Sequence, residues 1–220
     1  MASLLKENVK KHVDLLIKRY PELNVIEDSI VNAYLILEEC YRNGGKLLIA
    51  GNGGSAADAE HIAGELMKGF KLPRKLRTDF AERLIEADEE MGSVLAVSLQ
   101  GALPTIALDG HPALSTAYMN DCEPLLCFAQ QVNGYGKEGD VLLGISTSGN
   151  SKNILYAAIT ARAKGMKVIG LTGAKNSRLE HLSDVCIKAP VTETFMVQEL
   201  HLPIYHCMCL MLETAFFERE

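Results

Sequence analysis

Twice in this sequence a short apolar run empties into a loop of glycine, serine and asparagine and then into a helical pattern. That recurrence restricts the fold more than any other feature. The first unit is residues 46–50, the loop Gly51-Asn52-Gly53-Gly54-Ser55, and a helix over about 55–68. The second is residues 140–145, the loop Ser146-Thr147-Ser148-Gly149-Asn150-Ser151, and a helix over 152–164 closed by Gly165, with a further strand at 167–171. Residues 103–108 and 185–189 read as two more strands. Strands alternating with helices predict an α/β fold, a mainly parallel sheet covered by helices on both faces. In such sheets ligands lie beyond the carboxyl ends of the strands, where both small-residue loops fall.

The N-terminal stretch 4–17 places Leu4, Leu5, Val9, Val13, Leu15, Leu16 and Ile17 at amphipathic helical spacing, and Pro21 ends it. A second helix is expected over 23–42, with Ile26, Ile30, Ala33, Tyr34, Ile36 and Leu37 on its apolar side and Asn43-Gly44-Gly45 as its stop signal. These helices, within residues 1–43, precede the first strand and are free to pack on a partner subunit. A long apolar helix is expected over 194–217. Between 72 and 101 the pattern weakens. Leu72-Pro73-Arg74 is loop-like, and 79–97 suits one helix carrying Phe80, Leu84, Ile85, Met91 and Val94. That segment reads as an insertion, a lid or an interface element. The chain has 220 residues, 48% of them hydrophobic, and no low-complexity tract or dividing linker, so 1–220 is read as a single domain.

With 22 basic and 28 acidic residues the formal charge is −6, and no basic block offers a footprint for nucleic acid. Residues 1–20 do not follow a signal-peptide pattern and no uninterrupted apolar run of spanning length occurs, so a cytoplasmic protein without a membrane partner is expected. Six scattered cysteines form no Cys-x-x-Cys pair and read as buried packing residues, Cys207 and Cys209 included.

Backbone N–H groups at a helix N-terminus carry partial positive charge, and small residues there let a phosphate approach. Alone, residues 146–151 would be a polar turn capping a helix; paired with 51–55 they read equally as a phosphate cradle. Neither loop continues as a P-loop or has the dinucleotide spacing, which disfavours a nucleotide cofactor. His61 and Glu65, four residues apart, share a helix face. Alone they would be a solvated pair; in a site they can hold a divalent metal or move a proton. On the last helix Gln198 and His206 are separated by roughly 80° and about 12 Å along the axis. They share a metal only if both side chains reach toward each other. Pro203 between them is expected to bend the helix. His201, roughly 140° from His206, falls on another face.

Together these segments resemble the sugar isomerase (SIS) family, and within it the phosphoheptose, or sedoheptulose-7-phosphate, isomerases. The matching text is residues 50–55, Asp58-Ala59-Glu60-His61 through Glu65, Asn120-Asp121, residues 139–151, and Gln198-Glu199-Leu200-His201 through His206. The resemblance implies a flavodoxin-like three-layer αβα sandwich on a five-stranded sheet, and a homotetramer with active sites between subunits. It implies that Asn52, Gly53, Gly54, Ser55, Ser146, Thr147, Ser148 and Ser151 hold a sugar phosphate. Asn120, Asp121, Glu65 and Gln198 would lie near the sugar, and His61, Glu65, Gln198 and His206 would surround zinc. Glu65 and His206 would exchange protons in a ketose–aldose shift through an enediol, taking sedoheptulose 7-phosphate to D-glycero-D-manno-heptose 7-phosphate. Either of the two can be the base. Met196 stands where the family commonly has arginine, and the 72–101 segment and Pro203 are atypical, so a different phosphosugar stays open. The same fold includes non-catalytic proteins that bind the replication initiator DnaA or a regulatory sugar phosphate. Those that bind DnaA lack matches to Glu65 and His206, both present here, which favours an enzyme.

Overall fold

Five parallel strands form one sheet, and the alternation of their side chains sorts the interior into two cores. The structure, a computed structural model, describes residues 5–218. β1 (Leu47–Ala50), β2 (Thr105–Ala107), β3 (Val141–Ile145), β4 (Lys167–Gly173) and β5 (Val185–Ala189) lie in the order β2-β1-β3-β4-β5. Among the described residues the α-helices are α1 (Glu7–Arg19), α2 (Glu27–Arg42), α3 (Gly54–Met67), α4 (Thr78–Ala87), α5 (Glu89–Ser98), α6 (Pro112–Asp121), α7 (Cys127–Tyr135), α8 (Lys152–Ala163), α9 (Arg178–Leu182) and α10 (Thr194–Phe217).

Successive strand residues point to opposite faces. Leu47, Ile49, Leu143 and Ile169 therefore enter a core with α1, α2, α3 and α10, while Leu48, Leu142 and Val168 enter a second core with α7, α8 and α9. Each fully buried leucine or isoleucine contributes about 1.5–3 kcal/mol. The result is the expected three-layer αβα sandwich. β1 and β3 are neighbours whose connections leave toward opposite edges, so a crevice opens beyond their carboxyl ends.

Several elements differ from expectation. The first helix is Glu7–Arg19, and the Leu4 start lies outside the described residues. The second begins as a 3-10 turn, Pro21–Ile26, before α2, because Pro21 occupies its first position. The single helix expected over 79–97 is two. Asp88 adopts an extended conformation and its side chain accepts a 2.7 Å bond from Met91 N, which caps α5 and ends α4. α6 and α7 were not anticipated; α6 buries no residue and so leaves no apolar stripe to read. α10 is the one long helix expected, 24 residues running through the buried Pro203. Its length and apolar composition alone would suit a membrane span, but here it is a core helix packed on α1, α3 and β4.

Candidate active site

The two small-residue loops meet at the crevice. Gly53 (φ 57°) and Gly149 (φ 63°) hold left-handed turns that favour glycine, and a Cβ on Gly149 would lie 2.3 Å from Ser177 Oγ. Asn52 and Asn153 exchange two amide hydrogen bonds of 3.1 and 2.7 Å, which joins the β1 loop to the start of α8. Ser146 and Ser151 place their hydroxyls 3.1 Å apart, and Ser55 and Ser146 are buried. Asn52, Gly53, Gly54 and Ser55 thus gather with Ser146, Thr147, Ser148 and Ser151 at the heads of α3 and α8. Ser55 N and Ala56 N already bond to Asn52 O and Gly53 O at 3.0 Å, and the partial positive charge at both helix heads favours an anion. Thr147 and Ser148 also border a cavity of about 100 Å³ shared with Gly173, Lys175, Thr192 and Thr194.

Asp58, His61, Glu65 and Lys68 recur at three- and four-residue spacing, so α3 presents all four on one face. His61 Nε2 lies 3.2 Å from Glu65 Oε1, and Lys68 Nζ lies 3.3 Å from Glu65 Oε2. α10 runs alongside. Its Tyr205 hydroxyl sits 3.0 Å from His61 Nδ1 and donates to Asp58 Oδ1 at 3.2 Å. The ring of His206 stands edge-on to His61 with centroids 5.0 Å apart, and 5.3 Å from Phe70. Burial, followed by the charge of His61, lowers the His206 pKa, and Glu65 partly offsets both. His206 Nε2 is buried without a hydrogen-bond partner. Burial raises the Asp58 carboxyl, whereas the Tyr205 bond and His61 draw it back.

A buried ion pair supports this face. Arg74 Nε donates to Glu213 Oε1 at 2.9 Å, and its guanidinium grips the carbonyls of Glu65 (2.8 Å) and Leu66 (2.7 Å) at the end of α3. Glu213 also accepts from the backbone N–H groups of Phe70, Lys71 and Leu72. Arg74 had read only as part of a loop. Tyr205 and Glu213 went unseen because each partners a residue some 140 positions away. The one available signal was the Asp58–Lys68 spacing on α3. Asp109, just beyond β2, is a further missed group, with a buried Oδ1 that has no partner.

Other expected residues stand apart. Gln198 packs against Gly54, where a Cβ would meet its Nε2 at 2.7 Å, seven residues and about 10 Å of helix before His61. Asn120 and Asp121 are exposed at the end of α6 and bonded to each other at 2.8 Å. Among the described residues no hydrogen bond ties them to either loop. His201 is on the separate face expected of it, fully buried, with Nε2 3.3 Å from Thr172 O. A cavity of about 840 Å³ opens at the amino ends of the strands between Gly44, Pro104 and Phe80, away from these loops.

The donors His61, Glu65 and His206 have the chemistry zinc takes, and the partnerless His206 Nε2 fits a ligand role. They are not gathered as a ready cluster. Among the described residues no three His, Cys, Asp or Glu groups form one, and Glu65 occupies His61 Nε2.

Comparison with known proteins agrees with the fold and the motifs. The SIS domain pattern matches residues 13–89 and 84–173. A phosphoheptose isomerase of Aneurinibacillus thermoaerophilus is 40% identical over 83% of this chain and 79% of its own. One from Nitratiruptor sp. is 36% identical over 98% of this chain and 100% of its own. Among solved structures, a phosphoheptose isomerase from Francisella tularensis superposes with a TM-score of 0.73 at 31% identity, covering 97% of this chain and 100% of that one. Another from Neisseria gonorrhoeae gives 0.71 at 32% identity, covering 94% and 98%. With this identity spread over nearly the whole fold, the chain belongs to the SIS-domain family, among the phosphoheptose isomerases.

Proposed function

We propose that this protein is a ketose–aldose isomerase that converts sedoheptulose 7-phosphate to D-glycero-D-manno-heptose 7-phosphate through an enediol. The observation that carries the reading is the approach of His206 to the His61–Glu65 pair in a chain whose relatives, at 36–40% identity, bear the name phosphoheptose isomerase.

The substrate phosphate would sit at the heads of α3 and α8, held by Ser55, Ser146, Thr147, Ser148, Ser151 and the N–H groups of Asn52–Gly54. Glu65 takes the proton from C1 while His206 gives a proton to the C2 carbonyl oxygen, which leaves the enediol. His206 then removes the proton of the C1 hydroxyl and Glu65 returns its proton to C2, completing the aldose. The lowered pKa of His206 keeps its imidazole neutral near pH 7, able both to donate and to accept at oxygen. His61 stands beside both groups, and Lys68 donates to Glu65 Oε2 at 3.3 Å.

Zinc is the proposed cofactor, with no nucleotide. His61, Glu65 and His206, with Gln198 swung from Gly54, would hold it, and when bound it would polarise the sugar oxygens. We also propose a cytoplasmic homotetramer with active sites at subunit boundaries. The exposed Met91, Val94 and Val97 on α5 support an interface, and the exposure of Asn120 and Asp121 supports a sugar site completed across it.

The test is turnover of sedoheptulose 7-phosphate by the purified protein and by Glu65→Gln. The expected result is aldose product from the wild type and a fall of about 10²–10⁴-fold in kcat for the variant. Absence of aldose product, with sugar binding unchanged by Glu65→Gln, would sink the isomerase reading.

A further inference from the structure

We propose that Tyr205, held by Asp58, is a positioning residue that decides which nitrogen of His61 faces Glu65 and the reacting centre. Only the catalytic consequence of this inference rests on the isomerase reading. The Tyr205 hydroxyl lies 3.0 Å from His61 Nδ1 and 3.2 Å from Asp58 Oδ1. A phenol has one hydrogen, and an ionised carboxylate only accepts. The hydroxyl therefore donates to Asp58 and accepts from Nδ1–H of His61. Nε2 then brings no hydrogen of its own toward Glu65 Oε1, 3.2 Å away, so what joins the two is a metal ion or one proton shared with that carboxylate.

The anchor is rigid. Tyr205 is 1% exposed and stands edge-on to His61 and His206, with centroids at 5.5 and 5.1 Å. Asp58 Oδ2 has no hydrogen-bond partner, so no rival donor draws the carboxylate away from Tyr205. The His61 side chain is 42% exposed, so without this bond little else on its outer side fixes the ring. A histidine that ligates or shuttles through one nitrogen is oriented by the hydrogen bond its other nitrogen makes. Asp58 and Tyr205 supply that bond from two different helices, and the contact between α3 and α10 thereby sets the chemistry of His61.

The experiment is long-range ¹H–¹⁵N correlation of the imidazoles at pH 8 in the ¹⁵N-histidine-labelled full chain, as purified and after zinc removal by chelation. His61→Gln assigns the resonance. The expected wild-type ring carries its hydrogen on Nδ1, and Tyr205→Phe moves His61 toward the Nε2–H form while the thermal midpoint stays near wild type. Zinc affinity, read by competition with a chromophoric chelator, is expected to fall about 10–100-fold in Tyr205→Phe and in Asp58→Asn. The double variant should be no weaker than Tyr205→Phe alone. In turnover, kcat falls and KM does not move. A wild-type His61 with its hydrogen on Nε2 in the zinc-free protein, or a tautomer unchanged by Tyr205→Phe, would overturn the proposal. If the wild type turns over no sugar but shows the expected tautomer, the isomerase reading fails and the positioning role stands.

Discussion

Glu213→Gln should destabilise the fold far more than its size suggests. The carboxylate is 1% exposed and each oxygen serves two donors. Oε1 takes Arg74 Nε at 2.9 Å and Phe70 N at 2.7 Å, and Oε2 takes Lys71 N at 2.8 Å and Leu72 N at 3.2 Å. Glutamine preserves the shape but turns one oxygen into an amide that points at donors. It also leaves the Arg74 cation buried without a countercharge, among the carbonyls of Glu65 and Leu66 and the Phe217 ring. Breaking one partner of a buried pair costs about 3–5 kcal/mol. Stranded backbone donors act on the same segment, so their cost overlaps this figure. Urea unfolding followed by circular dichroism should show a lower midpoint at unchanged slope. Because Arg74→Met removes the cation itself, Arg74→Met/Glu213→Gln should cost no more than Glu213→Gln alone. A Glu213→Gln loss below about 1 kcal/mol, the worth of an ordinary exposed ion pair, would refute the idea that this pair pins residues 70–74 beneath Glu65.

The remaining expectations are narrower. Burial lowers the pKa of His201 from 6.5 to about 4, so the unfolded chain binds more protons between those values. Its contribution is therefore fully present above about pH 6.5 and falls by roughly 3 kcal/mol as pH drops to 4. Urea midpoints at pH 7, 5.5 and 4 should show a shallower decline for His201→Leu, and an identical decline would contradict this. Ser55→Ala removes one proposed donor to the phosphate and should weaken sugar-phosphate binding about tenfold by calorimetry, as expected for a hydrogen bond to a charged group; unchanged affinity would place the phosphate elsewhere. Metal analysis at saturating zinc should find the ion bound, and its loss in His61→Ala; no bound divalent ion would remove zinc from the mechanism.

Contiguous features were legible in the sequence and paired ones were not. Two strands stood out because the runs 47–50 and 141–145 ended in glycine and serine, and His61 and Glu65 because four-residue spacing is visible on one helix. Asp88 was lost among the acidic residues of 86–90, so its cap was not distinguished from a solvated helical face. Tyr205 looked like one more apolar residue beside His206, because nothing local reveals that its hydroxyl reaches Asp58 across 147 positions. The placement of Gln198 beside Gly54 was illegible for a related reason. Its angle from His206 was computable, but which part of α3 it would meet depends on how two distant helices dock.

The most direct measurement is conversion of sedoheptulose 7-phosphate in D₂O, followed by NMR. If Glu65 carries a proton between carbons through an enediol and exchanges it with solvent while the enediol is bound, the aldose should appear with deuterium at C2, and Glu65→Gln should slow the appearance of both product and label by about 10²–10⁴-fold. Full binding of the sugar with neither aldose nor deuterium incorporation would contradict the isomerase reading and leave a phosphosugar-binding protein built on the same sheet.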